Sequence, residues 1–153
     1  MNTSPTVPAQ GLSASVSVNK RTAATANAAE VSGRFLLALL FLVSGLGKLG
    51  AYSATAAYMS ATGVPGAWLP AVIAIEIFGS LAIVLGWKTR VVALLLAGFS
   101  VLTAFVFHHN LADQTQMLMF FKNLSIAGGL LLLAANGAGR LSLDQRAAKQ
   151  RSG

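Results

Sequence analysis

The sequence predicts an all-α integral membrane protein: a four-transmembrane-helix bundle with a disordered N-terminal tail. Three observations predict it. Only 10% of the 153 residues are charged and 55% are hydrophobic, against about 25% charged in soluble domains. The apolar residues collect in four blocks of roughly 16 to 20, enough for a helix rising 1.5 Å per residue to cross about 30 Å of hydrocarbon. The basic residues flank those blocks instead of gathering on a polar domain. The net charge of +7 is therefore a topology signal, and no nucleic-acid partner is expected. The chain has no cysteine, which excludes dithiol chemistry, thiolate metal sites and disulfides within it.

Residues 1–30 are rich in Ser, Thr, Ala and Asn and contain no apolar run. Such a stretch buries too little surface to offset its conformational entropy, which predicts a disordered tail. It also lacks the apolar core of a cleavable signal, so the first span is expected to act as an uncleaved insertion signal. The transmembrane domain is expected over 31–137. Its first helix spans about 34–50, "RFLLALLFLVSGLGKLG", with Arg34 and Lys48 separated by only 13 residues. Either Arg34 snorkels or Lys48 lies within the bilayer, or both. Residues 52–62 are mildly amphipathic and predict a helix lying at the interface, broken by "GVPG" at 63–66. The second helix, about 67–85, contains Glu76 and is bounded by Trp68 and Trp87, residues that suit the membrane interface. A polar turn, "GWKTR", leads to the third helix, about 91–107. The fourth, about 117–135, carries Lys122 and Asn123 near its start. Residues 138–153 form a basic tail.

Lys20, Arg21, Arg34, Lys88, Arg90, Arg140, Arg146, Lys149 and Arg151 all fall on one side of a four-span chain. The positive-inside rule then puts both termini in the cytoplasm.

Counting rise from that side places Lys48 roughly 21 Å up the first helix and Glu76 about 18 Å up the second. His108, Lys122 and Asn123 lie just above them. Ser44 is one turn below Lys48, and Thr103 is near the Glu76 level. A charge at mid-bilayer costs about 2.5 to 3.5 kcal/mol on insertion scales. Pairing Glu76 with Lys48 removes much of that cost. The pair reads either as a structural link between helices or as the floor of a polar chamber that binds a headgroup or relays a proton. His108 and His109 point about 100° apart on a helix and no other histidine exists, so neither haem nor metal ligation is expected. Gly45, Gly79, Gly128 and Gly129 read as helix-packing positions.

Five segments then carry a resemblance: "RFLLALLFLVSGLGKL" (34–49), "IEIFGSLAIVLGWKTR" (75–90), "TAFVFHH" (103–109), "FFKNLSIAGGLLLL" (120–133) and "GRLSLD" (139–144). In this order and spacing they resemble the DoxX family of small bacterial inner-membrane proteins. The resemblance implies a four-helix bundle in the bacterial cytoplasmic membrane. It also implies an association with quinone-linked or thiol and oxidative-stress redox systems. The motif positions carried over are Ser44, Gly45, Lys48, Glu76, Gly86, His108, Lys122, Asn123, Gly128 and Gly129.

Three functions compete. The first is a membrane subunit or accessory of a redox enzyme, its chamber holding a quinone or another polar-headed lipid. With no flavin, haem or metal motif, such a chain does not carry electrons by itself. The second is a scaffold for partner proteins without a ligand of its own. The third is a proton-coupled transporter of small solutes with Glu76 as its switching carboxylate; Lys48 at the same depth opposes a cationic substrate.

Overall fold

The computed structural model describes residues 9–153, with side chains from Thr22 onward. Six α-helices follow one another: α1 (Ala9–Gly50), α2 (Tyr52–Ala61), α3 (Leu69–Leu85), α4 (Thr89–Phe107), α5 (Gln114–Asn136) and α6 (Leu143–Arg151). A 3-10 turn, Gly66–Trp68, leads into α3, and the described residues contain no strand. Four stretches are long and apolar enough to cross a membrane: Thr22–Gly50, Gly66–Leu85, Thr89–Phe107 and Gln114–Asn136. These are the four spans that the apolar blocks predict.

The helix ends follow local chemistry. Pro70 sits in the first turn of α3, where its missing N–H is not needed. Gly86, at φ 68°, closes that helix while the Trp87 N–H donates to the Ala82 carbonyl at 2.9 Å, a Schellman ending that suits glycine. Asp113 caps α5 by accepting from the Gln116 N–H. Gly63, at φ 86°, follows α2 and turns the chain toward α3.

One segment differs from expectation. The tail expected to be disordered through residue 30 is helical from Ala9, while residues 1–8 lie outside the described residues. Residues 22–30, "TAATANAAE", contain neither Gly nor Pro and are rich in alanine, the best intrinsic helix former. The apolar part of α1 already provides the nucleus, so extending backwards needs no new nucleation. The basic tail contains α6. Its "SLDQ" start is a cap of the S-x-x-Q kind, with the Ser142 Oγ accepting from the Gln145 N–H.

α1 packs chiefly on α3 and α4 on α5, with α3 against α4 closing the two pairs together. Lipid tails are as apolar as the helices, so close approach through small residues drives association. The core accordingly uses Ala38, Ala93, Ala97, Ala127 and Ala134 around Phe41, Ile83, Leu96 and Leu130. A Cβ on Gly79 would stand 3.0 Å from Leu96, and one on Gly129 3.1 Å from Leu37. Gly128 does not pack: a Cβ there would meet nothing within 4 Å. Adjacent helix positions point about 100° apart, so only one of the two glycines faces the α1 seam. Phe78, Leu95 and Leu132 point outward and are largely exposed, as lipid-facing side chains are.

The tail-side end of the bundle is tied by the C-terminal segment. The Asp144 Oδ1 accepts from the Lys88 N–H at 2.7 Å and Oδ2 from the Thr89 N–H at 2.9 Å. The buried Arg34 donates to the Leu141 carbonyl at 2.6 Å. Gly86 makes room for this: a Cβ there would collide with Arg34 and Ser142. Partial burial pushes the Asp144 carboxyl up, but the Thr89 and Lys88 N–H groups and the Arg34 charge outweigh it. The group is held below the usual carboxylate range.

Candidate functional site

α1 presents Ser44 and Lys48 one turn apart on a single face. Across from them, α3 buries Glu76. The Lys48 Nζ lies 2.8 Å from both Glu76 oxygens and 2.6 Å from the Ser44 Oγ, and the Ser44 hydroxyl donates to Glu76 Oε1 at 3.1 Å. The depth count put these residues on nearly one level, and in the structure they touch. Gly45 is what lets the helices come so close. A Cβ on it would stand 2.8 Å from the Ile77 side chain and 3.2 Å from the Glu76 Cβ. The side chain of Glu76 is 6% exposed and that of Lys48 24%. The acid is therefore enclosed while the ammonium reaches open space.

That space is a cavity of about 650 Å3, within the range of ligand pockets. Its walls come from all four spans and from α2, and they are mostly apolar: Phe41, Val72, Phe99 and Val106 among others. Ser44, Lys48, Glu76, Thr103, His108, Lys122 and Asn123 all line it. One cavity thus gathers every residue assigned to the chamber from the sequence. They are not one hydrogen-bonded unit, however. Thr103 donates to the Ser100 carbonyl of its own helix at 3.0 Å. The His108 Nδ1 lies 2.8 Å from the Gln116 Oε1, an acceptor, so the ring N–H points at Gln116. Lys122 is near enough to Lys48 for their charges to repel. His109 is exposed and does not line the cavity.

Two contributions were not read from the sequence. Ser100, almost fully buried, adds a polar wall position three residues before Thr103. Its place in "LLLAGFSVLTAF", on the Thr103 face, was the available signal. The other is α2, which supplies Thr55, Tyr58 and Met59 to the cavity. Tyr58 stacks on Phe107 with ring centroids 5.8 Å apart, so α2 covers one end of the chamber. Nothing in its own weakly amphipathic pattern says which helix it covers. Among the described residues, no three His, Asp or Glu side chains cluster as metal ligands.

The chemistry of this lining is specific in kind. Lys48, Lys122 and Asn123 carry hydrogen-bond donors, Glu76, Asn123 and the second His108 ring nitrogen carry acceptors, a few hydroxyls add to them, and the remainder is hydrocarbon. A ligand with oxygen acceptors at one end and an apolar body matches that division.

Comparison with known proteins places the chain among membrane proteins of this kind. The DoxX family model matches residues 30–109, which takes in Lys48, Glu76 and His108 and ends before α5. The chain is 52% identical to the inner membrane protein YqjF of Escherichia coli over 112 residues, covering 73% of this chain and 86% of that protein. It is 39% identical to the inner membrane protein YphA of the same organism over 121 residues, 74% of this chain and 86% of that one. A third relative is the ER-derived vesicles protein ERV29 of Saccharomyces cerevisiae, 28% identical over 75% of this chain but only 32% of its own length. No solved structure matches the chain. With more than half of its residues matched by the family model, and two relatives covered almost end to end, the chain belongs to the DoxX family.

Proposed function

We propose that this protein is a membrane subunit or accessory of a redox system, and that its chamber holds a quinone or another lipid with a carbonyl-bearing head. The observation that carries the reading is an ion pair at the wall of a mostly apolar cavity. Lys48 contacts both Glu76 oxygens at 2.8 Å, yet remains open to the 650 Å3 space beside it. The acid is enclosed while the ammonium faces the cavity, so its charge acts on whatever the cavity holds.

A quinone fits the donor set. Lys122 and Asn123 would hold carbonyl oxygens beside the Lys48 charge, whose three N–H groups go to Glu76 and Ser44, and the aromatic and branched walls would hold the ring and tail. When bound, a quinone supplies two-electron redox chemistry; electrons must then come from a partner protein, because the chain carries no flavin, haem or metal motif. Glu76, bridged by Ser44 and Lys48, is placed to hold or pass a proton at the carbonyl end. On this reading the protein lies in a bacterial cytoplasmic membrane with both termini cytoplasmic, as its Lys and Arg distribution favours.

The test is the lipid content of protein purified in mild detergent, wild type beside Glu76→Gln, read by mass spectrometry of the extract. Near-stoichiometric quinone that falls several-fold in the variant supports the reading. Background quinone in both overturns it.

The scaffold reading has one observation on its side. Gly45 brings α1 and α3 together at the ion pair itself, so the pair also joins helices. If that were its whole role, Glu76→Gln would change thermal stability and leave bound lipid unchanged.

A further inference from the structure

A second cavity, of about 710 Å3, lies at the opposite end of the bundle, between the α3–α4 turn, the Gly137–Ala138–Gly139 bend and the start of α6. Lys88, Arg90 and Arg140 line it. Among the described residues the only salt bridge is Lys48–Glu76, so none of these three cations has a carboxylate partner. The acids nearby are already engaged. Asp144, also on the wall, has its two oxygens on the Lys88 and Thr89 N–H groups, with the Arg34 charge nearby. Glu30 sits against Gly139, where it also feels Arg34. Asp144 keeps its charge, but its oxygens are turned onto backbone N–H groups, so the cavity carries three cations against one carboxylate.

The backbone shapes the site around them. Gly137 and Gly139 take φ of 84° and 76°, conformations that favour glycine. A Cβ on Gly137 would stand 3.5 Å from the Arg90 Nε, so this bend lies directly against the guanidinium. Trp87 and Leu141, the chain neighbours of the lining residues Lys88 and Arg140, are both more than half exposed, and Lys88 lies 5.3 Å over the Trp87 ring. The site therefore combines cations for a phosphate with apolar surface at the ends of the spans, where acyl chains begin. Basic pockets between transmembrane helices take phospholipid headgroups for this reason.

We propose that this cavity binds the phosphate of an anionic glycerophospholipid, with Arg90 and Arg140 as its principal contacts and Lys88 as a third. Arginine's planar fork suits phosphate oxygens and is weakly hydrated, which favours it at a membrane edge. The proposal is independent of the chamber and of what the chamber binds.

The experiment counts lipids on the full-length protein in mild detergent by native mass spectrometry, with phosphatidylglycerol or phosphatidylcholine added. Each cation near such a surface is worth about fivefold in affinity. Arg90→Gln with Arg140→Gln should therefore weaken phosphatidylglycerol by about 25-fold and Lys88→Gln by about fivefold. Lys149→Gln with Arg151→Gln, on the exposed α6, should leave it unchanged. Equal loss in the α6 variant would mean diffuse charge attraction and would overturn the site. So would equal binding of phosphatidylcholine, or no loss in the cavity variants. Displacement of the lipid by millimolar inorganic phosphate would make it a free-anion site and overturn the lipid assignment. Lys88 is exposed and its side chain makes no hydrogen bond, so Lys88→Gln decides the matter if the double arginine variant unfolds.

Discussion

The two ends of this bundle are built on different principles. Toward the termini the helices interlock through alanine and glycine, and Ile83, Leu96 and Leu130 are fully buried. Toward the opposite end the same helices part around a 650 Å3 space, with α2 inserted against α3 and α4. The difference is one of side-chain size and polarity. Below Gly45 and Gly79 the seams hold small residues, so backbones approach; above them Lys48, Phe99, Val106 and Lys122 hold the helices apart. Small residues in the seams let the spans close on one another, and larger polar and aromatic ones leave a cavity between them. The ion pair sits at the boundary between the two halves.

The comparison breaks most severely at that boundary. Lys48→Ala would leave Glu76 buried without its cation, and removing one partner of a buried pair costs about 3 to 5 kcal/mol. Thermal unfolding in detergent should show it, with Glu76→Gln milder because Ser44 can still bond the amide. A variant as stable as wild type would show that the pair carries no structural load.

Next comes the contrast between the halves themselves. Leu96→Ala, in the interlocked half, should cost about 3 kcal/mol, since its neighbours cannot collapse onto the void. Val106→Ala, on the chamber wall, should cost about 1 kcal/mol or less, because it enlarges a space that already exists. Equal losses would mean that the chamber wall is as tightly packed as the core.

Gly45→Ala sharpens the role of the seam. Its Cβ must displace Ile77 or the Glu76 stem, which by the usual cost of overpacking is about 1 to 3 kcal/mol. Gly128→Ala, with open space around it, should be neutral or slightly stabilising through helix propensity. If the two substitutions behaved alike, the close approach at Gly45 would be irrelevant.

The smallest effect concerns α6. Asp144 has a folded-state pKa below its unfolded value, so its contribution is fully present above the unfolded value of about 3.9. It is lost as pH falls through the lower folded value. Docking of residues 141–151 should therefore loosen only in strong acid. Asp144→Ala should loosen it at neutral pH by about 1 kcal/mol, as for a lost helix cap. Amide exchange of this segment, at pH 7 and near pH 3, reads both.

Much of this was legible because each signal is local or one-dimensional. Four apolar blocks long enough for the bilayer specify four spans, whatever their neighbours do. Depth is also a linear count from the membrane edge, which is why Lys48 and Glu76 were placed on one level before any contact was known. The α1 extension is not legible from apolar content, because an alanine-rich stretch joined to an existing helix needs little to continue it. Gly128 was assigned with Gly129 because adjacent residues look equivalent in a sequence although only one can face a seam.

By itself, then, the sequence determined the class, the span number, the polar level and the family, since hydrophobic length and motif order need no knowledge of azimuth. Tertiary structure alone decided which faces meet: that Gly45 lies against Glu76, that α2 covers the chamber, and that Asp144 and Arg34 tie the tail to the α3–α4 turn. Rotation about each helix axis is set by packing against its neighbours, and a packing partner is a property of two segments at once.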